Sequence, residues 1–365
     1  MRTLLGLHDL AGGVVVCPAA PGSPWPVLAR DLLLALGKTR EALDDAGPRS
    51  RLPVLLALWL RAEQIRHLVV LRAHRLPVAT RAALAHLTAG AGVALWAVDH
   101  TSTPTPHAMH WTAAAALLGV ARDTARRPRP ADSQLYATVR DRARRAGCSW
   151  RLYTERTLRR PRDVRPDCTL GTLLQNLTID ARDRHELLLR LHAAQTGLRD
   201  EGLDLTLPAL EHDTRLLDRL GPRFTTDTVA RLRRLACPLA AGALTLAVAT
   251  DNNAPWLAWL THNWTDPHGR HVRAYTGTLR VPPQARPMQR ALLLDHASRR
   301  DPPPNLFVGR DNAAMTGRRL AHRIGTAADL AGLPRSEAAH PTSLCYTAET
   351  FATTFTGAIR LRPIT

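Results

Sequence analysis

Apolar residues along this chain fall into two kinds of run. Residues 13–17 (GVVVC), 65–71 (IRHLVVL) and 92–98 (GVALWAV) are short apolar stretches bounded by Gly, Pro or charge, the form of strands buried on both faces. Helical spacing fills the intervals, so strand, helix, strand, helix, strand across residues 12–100 predicts an α/β unit with a parallel sheet. Leucines then recur at three and four in TLGTLLQNL, DRHELLLRLHAAQTGLRDEG, LPALEHDTRLLDRLG and TTDTVARLRRLACPLA, with Thr/Asp caps and Gly stops, which predicts helices over residues 169–236.

From residue 240 the pattern changes again. The apolar run 243–249 breaks at Asp251, Asn252 and Asn253, and Trp256, Leu257, Trp259 and Leu260 follow at helical spacing: helix, tight turn, helix. HVRAY and TLRVPP around Gly277 predict a small hairpin. PMQRALLLDHA predicts an amphipathic helix and PPPNLFVG an extended segment. MTGRRLAHRIGTAADLAGLP predicts a last helix with Thr316 as N-cap and Gly332, Leu333 and Pro334 as its stop. The expected fold is an α/β N-terminal module followed by a mainly α C-terminal domain with a small β-hairpin. The expected domains are 1–120 (α/β module), 121–168 (Arg-rich linker), 169–236 (helical region) and 237–365 (C-terminal domain).

Composition adds a partner class. The 365 residues are 45% hydrophobic, enough for substantial cores, and carry a formal charge of +18. The pI near 11.3 points to nucleic acid or another anionic surface. Of the 49 basic residues 48 are Arg and one is Lys38, a bias that accounts for Arg over Lys but not for the excess over acid. Cys17, Cys148, Cys168, Cys237 and Cys345 are odd in number, far apart and without a CxxC, so neither a disulfide framework nor a zinc site is expected. No apolar run approaches the ~18 residues of a membrane span, and no clean signal peptide opens the chain. The expectation is a soluble cytoplasmic protein with no membrane contact.

Arginine is dense between residues 122 and 165, with Tyr136, Trp150 and Tyr153 interleaved. Arginines on one helical face can line phosphates and aromatic rings can stack on bases, which makes Arg142, Arg145, Arg159 and Arg160 candidate DNA contacts. The plainer alternative is a solvated linker whose arginines pair with nearby acids.

Residues 12–36 have the strand, Gly/Pro-rich loop and helix of a P-loop, and 65–77 (IRHLVVLRAHRLP) resembles the acidic-pair strand of AAA+ ATPases. Gly22 and Ser23 fit the loop, but Pro24 replaces a glycine, Trp25 the phosphate-binding Lys and Pro26 the hydroxyl residue. Leu71 and Arg72 stand where the acidic pair belongs. The resemblance is therefore to a degenerate P-loop module; an unrelated small α/β module fits the same residues. Neither form leaves a carboxylate for Mg²⁺, and no cofactor is expected.

The order helix, turn, helix, hairpin, helix, helix from residue 240, with Leu306–Phe307 and the RRLAHRIGTAADLAGLP helix, resembles the catalytic domain of tyrosine recombinases, the phage-integrase family. That resemblance implies a DNA breaking-rejoining fold and partners in DNA integration or recombination. Its chemistry needs a tyrosine nucleophile inside a cage of cations. Here Asn253 occupies the first Arg position, Asp251 that of the preceding glycine and Trp256 that of the supporting acid. The hairpin lacks its Lys, although Arg280 at its exit can hold a phosphate. In the second box His340 is kept and Ser343 replaces the Arg. Tyr346 lies too close to that box, and the sequence ends at Thr365. No catalytic residue is expected. DNA contacts are expected from Arg280, Arg318, Arg319, Arg323 and His340, with duplex DNA as partner beside an active recombinase or transposition protein of a mobile element. Two alternatives remain: a regulatory or protein-interaction module, and a recombinase completed by another subunit.

Overall fold

The protein is described from a computed structural model, which covers residues 2–99, 111–125, 131–159, 170–207, 223–250, 254–274, 277–333 and 360–363. The three valines of β1 (Val14–Pro18) pair in parallel with β2 (His67–Leu71), which pairs in parallel with β3 (Ala94–Val98). The register sets Val16, Val69 and Trp96 side by side. Continuous apolar runs suit this sheet because both faces are covered. Val15, Cys17, Leu68 and Val70 enter the main core, whereas Val14, Val16, Val69 and Leu71 pack against Leu4 of α1 (Arg2–Leu5) and Leu118 of α6 (Trp111–Ala125). The first crossover runs through α2 (Trp25–Ala35), α3 (Arg40–Ala46) and α4 (Leu52–Ala62). The second is α5 (Val78–Ala91), which stops at Gly92 in the left-handed conformation.

Residues expected within a linker form α7 (Asp132–Arg159), a 28-residue helix. Its Leu135, Val139, Ala143 and Ala146 make a narrow stripe against Leu187, Leu191, Ala194 and Leu198 of α9 (Arg184–Arg199). The two backbones are so close that a Cβ at Gly197 would fall on the Arg140 carbonyl. This second core also takes Leu174 and Leu177 of α8 (Leu170–Thr178) and the strand β4 (Leu203–Thr206). A further strand, β7 (Arg360–Pro363), pairs antiparallel with β4 across more than 150 residues of chain, a pairing with no local signal.

The C-terminal helices surround α11 (Pro238–Thr250), which follows α10 (Thr226–Arg233). Nearly every residue of α11 is buried, as befits a helix apolar all round. Against it lie α12 (Ala254–Ala258), α13 (Arg286–Ala297) and α14 (Gly317–Ala331). A Cβ at Gly242 would sit 2.5 Å from Leu292 Cβ, so glycine sets the α11–α13 spacing. The hairpin of β5 (His271–Ala274) and β6 (Gly277–Arg280) docks on α8. Asn176 Nδ2 donates to the Thr278 carbonyl at 2.8 Å and its Oδ1 accepts from the Arg280 amide at 2.7 Å.

Domains were expected to part at residues 120 and 236, but one core crosses both positions. It runs from the sheet through Leu56, Trp59 and Leu60 of α4 to Leu244, Met288, Leu292, Leu320 and Ile324. The reason lies in α4, which is apolar around most of its circumference. One side meets α2 and α5 and the other meets α13.

Polar bonds lock the same junction. The carbonyls after the last turn of α10 accept from Lys38 Nζ (Arg233 O, 3.0 Å), the Thr39 amide (Arg234 O, 3.1 Å) and Trp59 Nε1 (Ala236 O, 2.8 Å). In return Arg290 Nε of α13 donates to Ala62 O at the end of α4, at 2.6 Å. Each unit thus satisfies the orphan carbonyls of the other's helix. Lys38 is fully buried with Nζ 3.1 Å from the Trp59 ring centroid, and desolvation lowers its pKa to about 7.

Candidate nucleic-acid interface

Among the described helices α14 is the most strongly two-faced. The Thr316 hydroxyl caps it by accepting from the Arg319 amide at 3.3 Å, and Gly332, left-handed at φ +67, ends it. Leu320, Ala321, Ile324, Ala327, Ala328 and Ala331 enter the core, which turns Arg318, Arg319, His322 and Arg323 outward. That basic face lines a cleft of about 620 Å³. Its other lining comes from α3 and α4, the segment around Arg299 and Arg310, and the start of α11.

Six arginines line this cleft: Arg51, Arg299, Arg310, Arg318, Arg319 and Arg323. Arg299 is the most committed, bonding Asp295 at 3.0 Å and the Gly309 carbonyl. Arg51 touches the same Asp295 only at 4.0 Å. Arg323 meets Asp45 at 3.5 Å, and Arg310 donates to the Asp45 carbonyl at 3.4 Å. Arg319 pairs with exposed Asp311 at 3.1 Å, and the hydrogen bond from the Ala313 amide, then that from Arg319, holds this carboxyl below its usual pKa. Arg318 is exposed, and among the described residues no ion pair or hydrogen bond engages it. Among the described residues, six positive charges against Asp45, Asp295 and Asp311 leave +3.

A second cleft, about 900 Å³, gathers Arg142, Arg182, Arg190, Arg233 and Arg280 with Asp180 and Glu186. Here four of the five cations are consumed. Arg190 forks onto Glu186 Oε1 (Nε at 3.0 Å) and onto Asp180, and donates to the Leu177 carbonyl at 2.8 Å. Arg182 bonds Glu186 at 2.7 Å, Arg280 meets Asp180 at 3.4 Å and Arg233 meets Glu63 at 3.2 Å. Arg142 stands beside this network, its pKa lowered by desolvation and then by Arg280.

The sequence candidates are therefore divided. Arg318, Arg319 and Arg323 share the first cleft; Arg142 and Arg280 share the second, Arg280 already paired. Arg145 is tied to Asp141 one turn back along α7, and Arg140 and Arg144 reach Asp200 and Glu201. Arg159 ends α7 with its side chain outside the described residues, as are Arg160 and His340. Asn253, Ser343 and Tyr346 also lie outside them. Trp256 sits on α12, and Lys38 lies in the α10 junction rather than near the hairpin. Arg51, Arg299 and Arg310 carried no sequence signal, because they come from separate irregular or helix-end segments.

At the loop resembling a P-loop, donors that would cradle phosphate are committed to the chain. The Ala19 amide donates to Leu71 O, Gly22 to Arg75 O and Ser23 to Ala20 O, while Pro21, Pro24 and Pro26 have no amide hydrogen. Leu71 is buried in the core, and Arg72 holds a left-handed φ of 63°. Among the described residues no cluster of His, Cys, Asp or Glu is arranged to hold a metal ion, and no helix is long and apolar enough to cross a membrane. No family model, curated protein or solved structure matches the chain.

Proposed function

We propose that this protein is a non-catalytic, cytoplasmic nucleic-acid-binding protein of tyrosine-recombinase-like descent, acting on duplex DNA beside an active recombinase or transposition protein. One observation carries the reading: six arginines from separate parts of the chain converge on one cleft that holds half as many carboxylates. Arginine binds phosphate in a bidentate fork, and among the described residues none engages the donors of Arg318. Asn253 and Ser343 in place of the two Arg positions of the family it resembles, and a hairpin without Lys, support binding without strand cleavage.

The test is binding to random-sequence duplex DNA at several salt concentrations, with heparin alongside. Expected is a steep fall of log K with log salt, with a slope of about −0.9 for each phosphate neutralised. Replacing Arg318, Arg319 and Arg323 together with Ala should flatten that slope by about 2 to 3. An unchanged slope removes α14 from the interface. Equal binding to heparin moves the assignment to a protein-interaction module.

A further inference from the structure

We propose that the cleft beside α14 is a pocket for the terminal phosphates of a nucleotide, either a free nucleoside polyphosphate or the phosphorylated end of a strand. This rests on the nucleic-acid reading and narrows it, since the cleft then receives an end and not the flank of a duplex.

Shape is the first reason. At about 620 Å³ the cleft falls among small-molecule pockets of ~300–1,000 Å³, which enclose most of a compact ligand. Backbone-tracking grooves are long and follow many phosphates, whereas here the arginines crowd one concave site.

Charge is the second. A net +3 from six guanidiniums exceeds what a single backbone phosphodiester carries, and it suits two or three linked phosphates or a dianionic terminal one. The spare donors are graded. Arg318 is free among the described residues, and Arg51 has only its 4.0 Å contact with Asp295. Arg310 offers what its one long bond to a carbonyl leaves over.

The remaining lining supplies the third reason. Leu55, Leu239, Val308 and Met315 give the same cleft an apolar wall for a sugar or base. The first turn of α11, at Pro238 and Leu239, also opens onto it and adds the partial positive charge of a 13-residue helix.

The test is titration calorimetry at low salt with EDTA present, using ATP, inorganic tripolyphosphate and adenosine. A second set comprises a 5′-phosphorylated single-stranded oligonucleotide, its 5′-hydroxyl counterpart and a closed circular duplex. Expected is saturable binding of ATP and tripolyphosphate, or of the 5′-phosphorylated strand, with adenosine or the hydroxyl strand about tenfold weaker or more. The set that binds names the source of the phosphate. Arg318→Ala should weaken that binding about tenfold, and because it removes no internal bond the variant should fold; Arg270→Ala, outside the cleft, should leave it unchanged. Equal binding with and without the phosphate, binding of the closed circle alone, or no effect of Arg318→Ala would overturn the proposal. Closed-circle binding without end preference would leave the nucleic-acid reading standing, while ATP binding with no DNA of any form would leave only the pocket. If nothing binds, both fall.

Discussion

The cleft between α7 and α10 and the cleft beside α14 each gather five or six arginines, yet they use most of them in opposite ways. Between α7 and α10, Arg190 and Glu186 are both almost fully buried, and Arg190 ties α9 to α8 at the Leu177 carbonyl and, through Asp180 and Arg280, to the hairpin. Beside α14, apart from Arg299 on Asp295, the pairs are long, exposed or absent, and Arg318 has none among the described residues. Arginine count alone does not separate an anion site from a structural clamp; the carboxylates within reach do.

The largest expected effect tests the clamp. Arg190→Ala leaves Glu186 and Asp180 short of a buried partner and should destabilise the protein by about 3 to 5 kcal/mol in chemical denaturation. A loss under about 1 kcal/mol would make the two clefts alike.

Next comes the junction whose α10 also carries Arg233 into the clamp cleft. Burial lowers the pKa of Lys38 to about 7, while the unfolded chain holds that proton up to 10.5. Between those values the unfolded state binds more protons, so stability should rise with pH; the burial cost is full below about pH 7 and gone above about pH 10.5. Burial raises the thiol pKa of Cys17 and Cys237, which lowers stability over the same window in both proteins, so the Lys38 contribution is read as a difference: from about pH 8 to pH 10 the parent should gain about 3 kcal/mol relative to Lys38→Met. Because the chain has no other lysine, equal slopes in the two proteins would sink the assignment to Lys38.

Smaller still, Arg280→Ala removes one partly buried pair while the Asn176 bond to its backbone persists. The expected loss is about 1 kcal/mol in thermal melts, without a change in the salt dependence of DNA binding. A flattened salt slope would return Arg280 to the interface.

The smallest change in stability belongs to Arg318→Ala, within about 0.5 kcal/mol of the parent, because no internal bond is lost. In gel-shift titrations the same variant should lower the salt slope of DNA binding by about 1. Together the four variants should divide the arginines into those that hold the fold and those that meet a ligand.

Much of the fold could be read locally. Thr316 and Gly332 bracket α14, Asp183 caps α9, and short apolar runs mark all three parallel strands. The helix α7 was obscured because its buried stripe is narrow and partly alanine and glycine, and its dense arginines resemble a solvated linker. The β4–β7 pairing was invisible for another reason: register between distant segments leaves no periodic trace in either. Of the candidate cleft, the three arginines of α14 were legible as one helical face, whereas Arg51, Arg299 and Arg310 had no pattern to betray them.

By itself the sequence determined the elements with strong period, cap and stop and the excess of positive charge. These depend on neighbours within one or two turns, where backbone preference and apolar spacing act. Tertiary structure alone decided that α4 would join the sheet to the C-terminal helices in one core. It also decided which arginines would meet a carboxylate and which would face an open cleft. Burial and ion pairing depend on groups that are distant in sequence, so identical side chains acquire opposite roles from whatever the fold sets beside them.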